Sequence, residues 1–293
     1  MDFFFHILIF AAIYGILAVS LDLMAGQAGL VSMAHAAFYG LGAYASALLT
    51  TRFGASFMVS LSVGAAAAFC VSFMVSLPSL RLHDDYFVIA TFGFQVILFS
   101  VFNNWMELTR GPLGIAGIPQ PIIFGWHVDS HLDFLILAAG LTAFAYLVVY
   151  LLTSSPFGRV LHAIREDEVF VRSLGKNTLY FKVTVFAVSA VLAATAGSLY
   201  AHYITYIDPT SFTVMESILM ISMVIIGGAG SLWGPLVGAL VLVVLPEALR
   251  FVGLPSDVAA NLRQIIYGAL LVVMMMFRPR GLVGKYSFES NAV

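Results

Sequence analysis

Polar side chains inside otherwise apolar stretches are the residues of this chain whose types suggest chemistry. Placing them in a membrane costs free energy, so such residues either line a path for solutes or satisfy one another between packed helices. Thr91 and Gln95 are four residues apart and therefore share one helix face. We expect a substrate path that includes Gln27, Ser32, His35, Tyr39, Thr91, Gln95, Glu216 and Ser217.

Three ionisable residues lie in or next to apolar segments: two of them have two possible roles, and the third is expected at the membrane surface. His35 lies among small residues, where a hydrogen-bonded packing histidine and a path-lining histidine both agree with the sequence. Glu216 begins an apolar segment, so its carboxylate is expected either at the level of the lipid headgroups or in a vestibule beside Ser217. Asp22 follows the first apolar run and is expected at the membrane interface.

The motifs of nucleotide hydrolysis, metal binding and acyl transfer are missing from the sequence. No G-x-x-x-x-G-K-[ST] phosphate loop occurs, so if ATP drives a process here, another chain must hydrolyse it. His127 and His131 are four residues apart without an obvious third ligand, and no G-x-S-x-G occurs. We therefore expect a non-enzymatic chain that binds no metal and no cofactor of its own.

The composition is that of an integral membrane protein. Of 293 residues, 61% are hydrophobic and 10% charged, and the mean hydropathy is +1.00, whereas soluble domains are roughly a quarter charged. The net charge of −2 gives no basic surface for nucleic acid. We predict an all-α polytopic protein of about 8–10 transmembrane helices in one domain, residues 1–293. The nine predicted spans are 3–21, 30–49, 56–77, 86–105, 132–153, 183–203, 213–228, 232–249 and 262–277.

Two of the nine spans are rich in glycine and are predicted to be broken or re-entrant. One follows the GQAG of residues 26–29, and the other follows the GGAG of residues 227–230. Interrupted helices at membrane depth often mark a translocation path. The glycines expected to interrupt them are Gly26, Gly29, Gly227, Gly228, Gly230 and Gly234. The two stretches also resemble each other, which suggests a two-fold internal repeat; alternatively, small residues recur wherever membrane helices pack closely.

Residues 154–182 form the one long polar interval and hold five of the thirteen Lys and Arg residues. Ser155 is a predicted helix cap, Leu161 and Ile164 belong to an apolar stripe, and Gly175 is a predicted stop. The pattern predicts one or two short helices on the membrane surface. They are either a solvated connection or an element that docks on a partner.

Topology follows from the distribution of basic residues. The polar interval 154–182 and the C-terminal residues Arg278, Arg280 and Lys285 are placed in the cytoplasm by the positive-inside rule. Alternating spans then place the loop of residues 106–131 outside. The side of the N-terminus depends on whether the second span crosses the membrane, and the sequence leaves it open.

Five stretches of the chain carry a family resemblance: in order, they are GQAGLVSMAHAAFYGLGAYASALL, HDDYFVIATFGF, TRGPLGIAGIP, SPFGRVLHAIREDEVFVRSLG and GGAGSLWGPLVGALVL. Together they resemble the permeases of the branched-chain amino acid class of bacterial ABC importers. The resemblance runs from about Leu17 to Gly284, with a departure at Arg110, where the family often has a small or polar residue.

The resemblance implies a multi-pass protein of the bacterial cytoplasmic membrane that imports branched-chain amino acids. It implies a second related permease, two cytoplasmic ATPase subunits that hold ATP and Mg²⁺, and an external substrate-binding protein. Residues 154–182 would be the coupling segment, with a polar face that carries Arg165 and Glu166 and meets the ATPase. The coupling residues would be Arg159, Arg165, Glu166, Asp167, Glu168 and Gly175. Urea, short amides or another small organic solute are alternative substrates for the same path. A different class of protein, a self-sufficient secondary transporter or channel, is the other alternative.

Overall fold

The computed structural model describes residues 2–82, 84–123, 125–250, 256–278 and 281–284, and each of the nine predicted spans contains a helix there. The described residues also form two small antiparallel strand pairs, β1 with β4 and β2 with β3. In chain order the elements are α1 (Asp2–Ala28), α2 (His35–Phe53), α3 (Phe57–Ser79), α4 (Asp84–Asn104), α5 (Met106–Thr109), β1 (Ile115–Ala116), β2 (Ile122–Ile123), β3 (Trp126–His127), α6 (His131–Ser154), α7 (Pro156–Glu166), α8 (Glu168–Ser173), α9 (Thr178–Ile204), β4 (Tyr206–Ile207), α10 (Val214–Gly227), α11 (Gly234–Arg250) and α12 (Ser256–Phe277).

Five of the described helices, α1, α3, α4, α6 and α9, are long and apolar enough to cross a membrane by themselves. Of these, α1 and α9 are the most buried and form the centre of the bundle, while α3, α4 and α6 expose more apolar surface. The contact between α2 and α9 is close because glycine lies at the crossing, where a Cβ on Gly42 would collide with the backbone of Ala194. The all-α polytopic prediction is confirmed.

The bundle has two ends, called here the α7 end, which carries α7 and α8, and the β1 end, where β1 pairs with β4. The nine spans alternate in direction, so α1 begins at the β1 end. The backbone N–H groups of Leu282 and Val283 donate to the carbonyls of Ile226 and Gly227, which places residues 281–284 at the α7 end. The start of α1 and the end of α12 therefore lie at opposite ends of the bundle. Two basic residues used in the topology prediction, Arg280 and Lys285, lie outside the described residues.

The second span is broken, as predicted, and it still crosses the bundle. Residues 29–34 are not helical, and α2 begins only at His35, whose Nε2 lies 2.8 Å from the hydroxyl of Ser20 in α1. Ser20 is eight residues before the end of α1 at Ala28, so His35 lies about 12 Å inside that end. Residues 29–34 thus run back along α1 as irregular backbone at membrane depth.

A second irregular stretch precedes α10, where the sequence analysis predicted a plain span. With 14 residues, α10 is about 21 Å long and too short for a hydrocarbon core of about 30 Å. Residues 205–213 bring the chain inward from β4 through a 3-10 turn whose Phe212 is fully buried. The backbone N–H of Ala36 donates to the Ser217 hydroxyl at 3.0 Å, which joins the starts of α2 and α10 inside the bundle.

The packing has a two-fold pattern, but the two glycine motifs do not mark it. Helices α2 and α3 pack on α9, and α10 and α11 pack in the same way on α1, which runs antiparallel to α9. This arrangement matches α1–α4 with α9–α12, so the irregular residues 29–34 correspond to 205–213. The predicted pairing of residues 26–29 with 227–230 is therefore wrong: both stretches lie at the α7 end because close contact there requires small residues.

Candidate functional site

Helix α7 begins as the sequence predicts. The Ser155 hydroxyl accepts a hydrogen bond from the Phe157 N–H at 3.1 Å, and Pro156 occupies the first helical position. The apolar stripe faces the membrane bundle, since Leu161 and Ile164 are buried. The cap and the stripe together fix which side of α7 remains free.

Helix α8 is held by its acidic residues. Asp167 separates the two short helices and accepts a hydrogen bond from the Phe170 N–H at 2.9 Å. Glu168 accepts from Lys182, from Arg172 at 2.7 Å and from the Thr178 hydroxyl at 2.7 Å, which joins α8 to the start of α9. Burial raises the pKa of Glu168, but these donors outweigh it, so the pKa lies below its usual value. These two carboxylates thus have contacts within the chain.

Gly175 ends this pair of short helices. Its φ is +77°, in the left-handed region that favours glycine. Helix α8 ends at Ser173, Leu174 is its C-cap, and Gly175 comes next. The predicted stop at this position is therefore confirmed.

The Arg165 side chain lies on the side of α7 that faces the bundle, and the sequence predicted the side that faces a partner. Its guanidinium donates to the Gly26 carbonyl at the end of α1, and its stem and head contact Gly29 and Gly230. The prediction of a polar partner-facing surface that includes Arg165 is therefore wrong for this residue, whereas Glu166 is exposed. The physical reason is that the end of α1 has free carbonyl groups, which a cation at this position satisfies.

A chain of hydrogen bonds continues from α7 into both glycine-rich loops. His162 Nε2 lies 2.7 Å from Gln27 Oε1, Gln27 Nε2 donates to Asp22 Oδ2 at 3.1 Å, and the Gly230 N–H donates to Asp22 Oδ1 at 2.8 Å. Burial lowers the pKa of His162, the Arg165 cation lowers it further, and Glu166 opposes them. A neutral imidazole with its hydrogen on Nε2 donates to Gln27 Oε1 and therefore fits this series of hydrogen bonds. We call the four residues His162, Gln27, Asp22 and Gly230 the latch.

The latch explains why glycine is needed where the loops meet. A Cβ on Gly26 would collide with the Gly230 backbone nitrogen and with the Asp22 carboxylate, and Gly230 itself has φ +76°. Residues Gly29, Gly227, Gly228 and Gly234 line the same two loops, each with a positive φ or with backbone packed where a Cβ would be. All six predicted glycines therefore lie at one end, around α7. A movement of α7 has a direct route to α1 and to the connection between α10 and α11.

The free side of α7 and α8 is unexpectedly apolar. Val169, Phe170 and Leu174 are 76%, 59% and 64% exposed, and the side chains of Arg159 and Glu166 on α7 are exposed as well. We call these five residues the α8 face. Val171 is the residue of α8 that is buried against the bundle.

Several polar residues predicted to line a path form hydrogen bonds with backbone groups of the two irregular stretches, residues 29–34 and 205–213. Thr91 accepts a hydrogen bond from the Met33 N–H at 3.1 Å, and Gln95 Nε2 donates to the Phe212 carbonyl at 2.8 Å. One face of α4 therefore fastens both irregular stretches. Ser32 does the same locally, since its hydroxyl accepts from the Ala34 N–H at 3.2 Å.

The other predicted path residues lie deeper in the bundle. His35 is paired with Ser20, in agreement with the packing interpretation. Tyr39 is buried, and its ring packs edge-on against Phe212 with centroids 5.1 Å apart. Glu216 accepts a hydrogen bond from the Tyr14 hydroxyl inside the bundle, so the headgroup-level position is wrong.

Sequence reasoning missed Asp22 and His162 as members of one cluster. Asp22 was expected at the interface after a span ending at residue 21, but α1 continues to Ala28 and Asp22 is 1% exposed. The signal was available, because a carboxylate within an apolar helix is costly unless it is paired. Its partner Gly230 is 208 residues away, which no local pattern shows.

The chain matches one family of proteins over nearly its whole length. Residues 3–275 match the family model described as branched-chain amino acid transport system / permease component. The high-affinity branched-chain amino acid transport system permease protein LivM of Escherichia coli K12 is 35% identical over 92% of this chain and 68% of its own length. The corresponding permease protein LivH of Salmonella typhimurium is 24% identical over 94% of this chain and 92% of its own length.

A third relative is similar over a shorter part of the chain. The probable branched-chain amino acid transport permease protein LivM of Methanocaldococcus jannaschii is 27% identical over 73% of this chain and 64% of its own length. No solved structure matches the chain. The family match covers nearly all of the spans that enclose the latch. This multi-pass membrane protein therefore belongs to the family of branched-chain amino acid transport system permease components.

Proposed function

We propose that this chain is the membrane-spanning permease subunit of an ATP-driven importer of branched-chain amino acids. It pairs with a second related permease, receives substrate from an external binding protein, and contacts two ATPase subunits that hold ATP and Mg²⁺. The relatives support this proposal, because they are named as the LivM and LivH permease proteins of high-affinity branched-chain amino acid transport systems. Residues 1–293 act as one domain, with 154–182 as its coupling segment.

The α7 end is assigned to the cytoplasm. Basic residues concentrate there, and cytoplasmic ends of membrane proteins carry the excess of Lys and Arg. The N-terminus and the β1 end, with the loop of residues 106–131, then face the outside, and the C-terminus is cytoplasmic. The basic residues described at the α7 end are Arg81, Arg159, Arg165, Arg172, Lys176, Lys182 and Arg278, against Arg52 and Arg110 at the β1 end and Arg250 and Arg263 in α11 and α12.

The observation that carries the proposal is the two-sided construction of α7 and α8. Their outer side is the α8 face, an exposed apolar surface that would bury well in a partner's groove. Their inner side is fastened by Arg165 and by the latch to α1 and to the α10–α11 connection. When ATP brings the ATPases together, α7 moves with them. The two glycine-rich loops, at the end of α1 and between α10 and α11, move with α7 as the permease alternates between outward and inward access.

Reconstituted transport tests this proposal. The complete complex with Val169, Phe170 and Leu174 all changed to Ser should lose uptake and binding-protein-stimulated ATP hydrolysis. The permease pair should still assemble, because none of these side chains packs in the core. The matched control changes Leu113 to Ser, which is 73% exposed at the β1 end. Parental uptake by the triple variant, or gradient-driven flux by the permease alone, would overturn the proposal.

Substrate preference should depend on the external binding protein more than on the permease lining. Gln95 is engaged with the Phe212 carbonyl and supports the fold. Exchanging the binding protein should change which amino acid is taken up, whereas Gln95→Ala should lower uptake of all of them alike. A permease substitution that alone switched preference would contradict this.

A further inference from the structure

A cavity of about 540 Å³ lies between α1, α10, α11 and α12, in the part of the bundle nearer the β1 end. This volume is within the range of sites for small organic ligands. Its walls are mainly apolar, and they include Ile7, Phe10, Ile218, Leu219, Leu242 and Leu271. The substrate path predicted from the sequence touches this cavity only through Glu216.

Glu216 supplies the one carboxylate among the described residues that line the cavity. One of its oxygens accepts a hydrogen bond from the hydroxyl of Tyr14, near the middle of α1. No described residue donates to its other oxygen. The next residue, Ser217, accepts from the Ala36 N–H at 3.0 Å, which fixes the first turn of α10 and hence the direction of the Glu216 side chain.

A carboxylate in a mainly apolar cavity is costly unless a cation or further donors join it. The described residues form no group of three or more His, Cys, Asp or Glu side chains that could hold a metal ion, whereas a metal ion requires several ligands. A primary ammonium group carried on a branched aliphatic body satisfies both parts of the site, because its donors reach the free oxygen and its hydrocarbon fills the cavity.

We propose that this cavity binds an aliphatic amino acid during transport, with the ammonium group on Glu216 and the side chain against the apolar wall. Tyr14 is a positioning residue, since its hydroxyl holds the carboxylate toward the cavity. The inference rests on the proposed function and adds to it a site and the chemical group that is recognised there. It also requires that recognition depends on the ammonium group rather than on the substrate carboxylate.

Binding of leucine and of two analogues tests the site. The complete complex is placed in phosphatidylcholine nanodiscs without the external binding protein, and binding is measured by calorimetry. Leucine and 3-methylbutylamine, which lacks the carboxylate, should bind; 4-methylpentanoate, which lacks the ammonium, should not. Glu216→Gln keeps an acceptor for Tyr14 and should weaken amine binding by roughly tenfold or more, because hydrogen bonds to charged groups are the strong ones.

Two further variants and one lipid separate the outcomes. Leu219→Phe, which narrows the cavity without altering the carboxylate, should also weaken binding, and Glu107→Gln, an exposed acid at the β1 end, should leave it unchanged. Adding phosphatidylethanolamine should not compete; competition would show that a lipid ammonium occupies the cavity and would overturn the inference. Equal binding of 4-methylpentanoate, or unchanged binding by Glu216→Gln, would also overturn it. The proposed function would survive these results if the α8-face variant still abolished ATP-driven uptake.

Discussion

Replacing Asp22 with Ala should disconnect α7 from the α10–α11 connection while leaving the rest of the bundle intact. The carboxylate accepts one hydrogen bond from the Gly230 N–H at 2.8 Å and another from Gln27 at 3.1 Å. It is 1% exposed, so water does not replace it without rearrangement. Alanine leaves both donors buried without their acceptor, and the contact between the loops is weakened.

The size of the effect follows from the two lost hydrogen bonds. A buried donor left without a partner costs about 1–3 kcal/mol, so the two together cost about 2–6 kcal/mol. The joined arrangement of the loops then becomes at least about 30-fold less populated, since each 1.4 kcal/mol is tenfold. Asp22→Asn keeps an oxygen for Gly230 but turns an amide toward the Gln27 amide, so it should cost about half as much.

The assay is the amount of amino acid taken up per ATP hydrolysed by the complete complex in proteoliposomes. Because the α8 face is unchanged, ATP hydrolysis should continue, and uptake per ATP should fall most for Ala and less for Asn. The matched control is Asp85→Ala, an exposed carboxylate at the α7 end of α4. Parental uptake per ATP in Asp22→Ala, with assembly intact, would refute the role of the latch.

Three other predictions concern neighbouring contacts. Arg165→Ala removes the donor to the Gly26 carbonyl; uptake per ATP should fall with the ATPases still bound, and normal coupling would contradict this. Thr91→Val leaves the Met33 N–H without its acceptor and should lower the melting temperature of the purified complex, at a cost of about 1–3 kcal/mol; an unchanged melting temperature would argue against the fastening role of α4. Because the folded pKa of Glu168 is lowered, its stabilisation is complete above the unfolded pKa of about 4.3 and is lost as pH falls through the folded value. The stability gap between the parent and Glu168→Gln should therefore shrink in acid, and a gap that widened there would contradict the assignment.

The spans were predictable because membrane thickness sets the length of apolar runs. Local rules also predicted the start of α7, since Ser155 and Pro156 act on the first turn alone. The extension of α1 past Asp22 was missed because a charge ends an apolar pattern, yet the fold supplies distant partners for it. Only the tertiary structure shows that the carboxylate lies inside the protein.

The side to which Arg165 points shows a second limit of sequence reasoning. Helical spacing placed Leu161 and Ile164 against the bundle correctly. The same spacing assigned Arg165 to the outer surface, because it contains no information about the carbonyl of Gly26 at the adjacent helix end. Likewise, the polar stripe of α4 was found, but its task of fastening irregular backbone depends on breaks whose depth the sequence does not give.

The central claim is that the α8 face contacts an ATP-hydrolysing partner. The most direct measurement replaces Phe170 with a photo-crosslinking phenylalanine analogue in the assembled complex, with Leu113 as the matched position at the β1 end. The account predicts that position 170 crosslinks to the ATPase subunit and that position 113 does not. Crosslinking of position 170 only to lipid or to the second permease, in a complex that still transports, would contradict it.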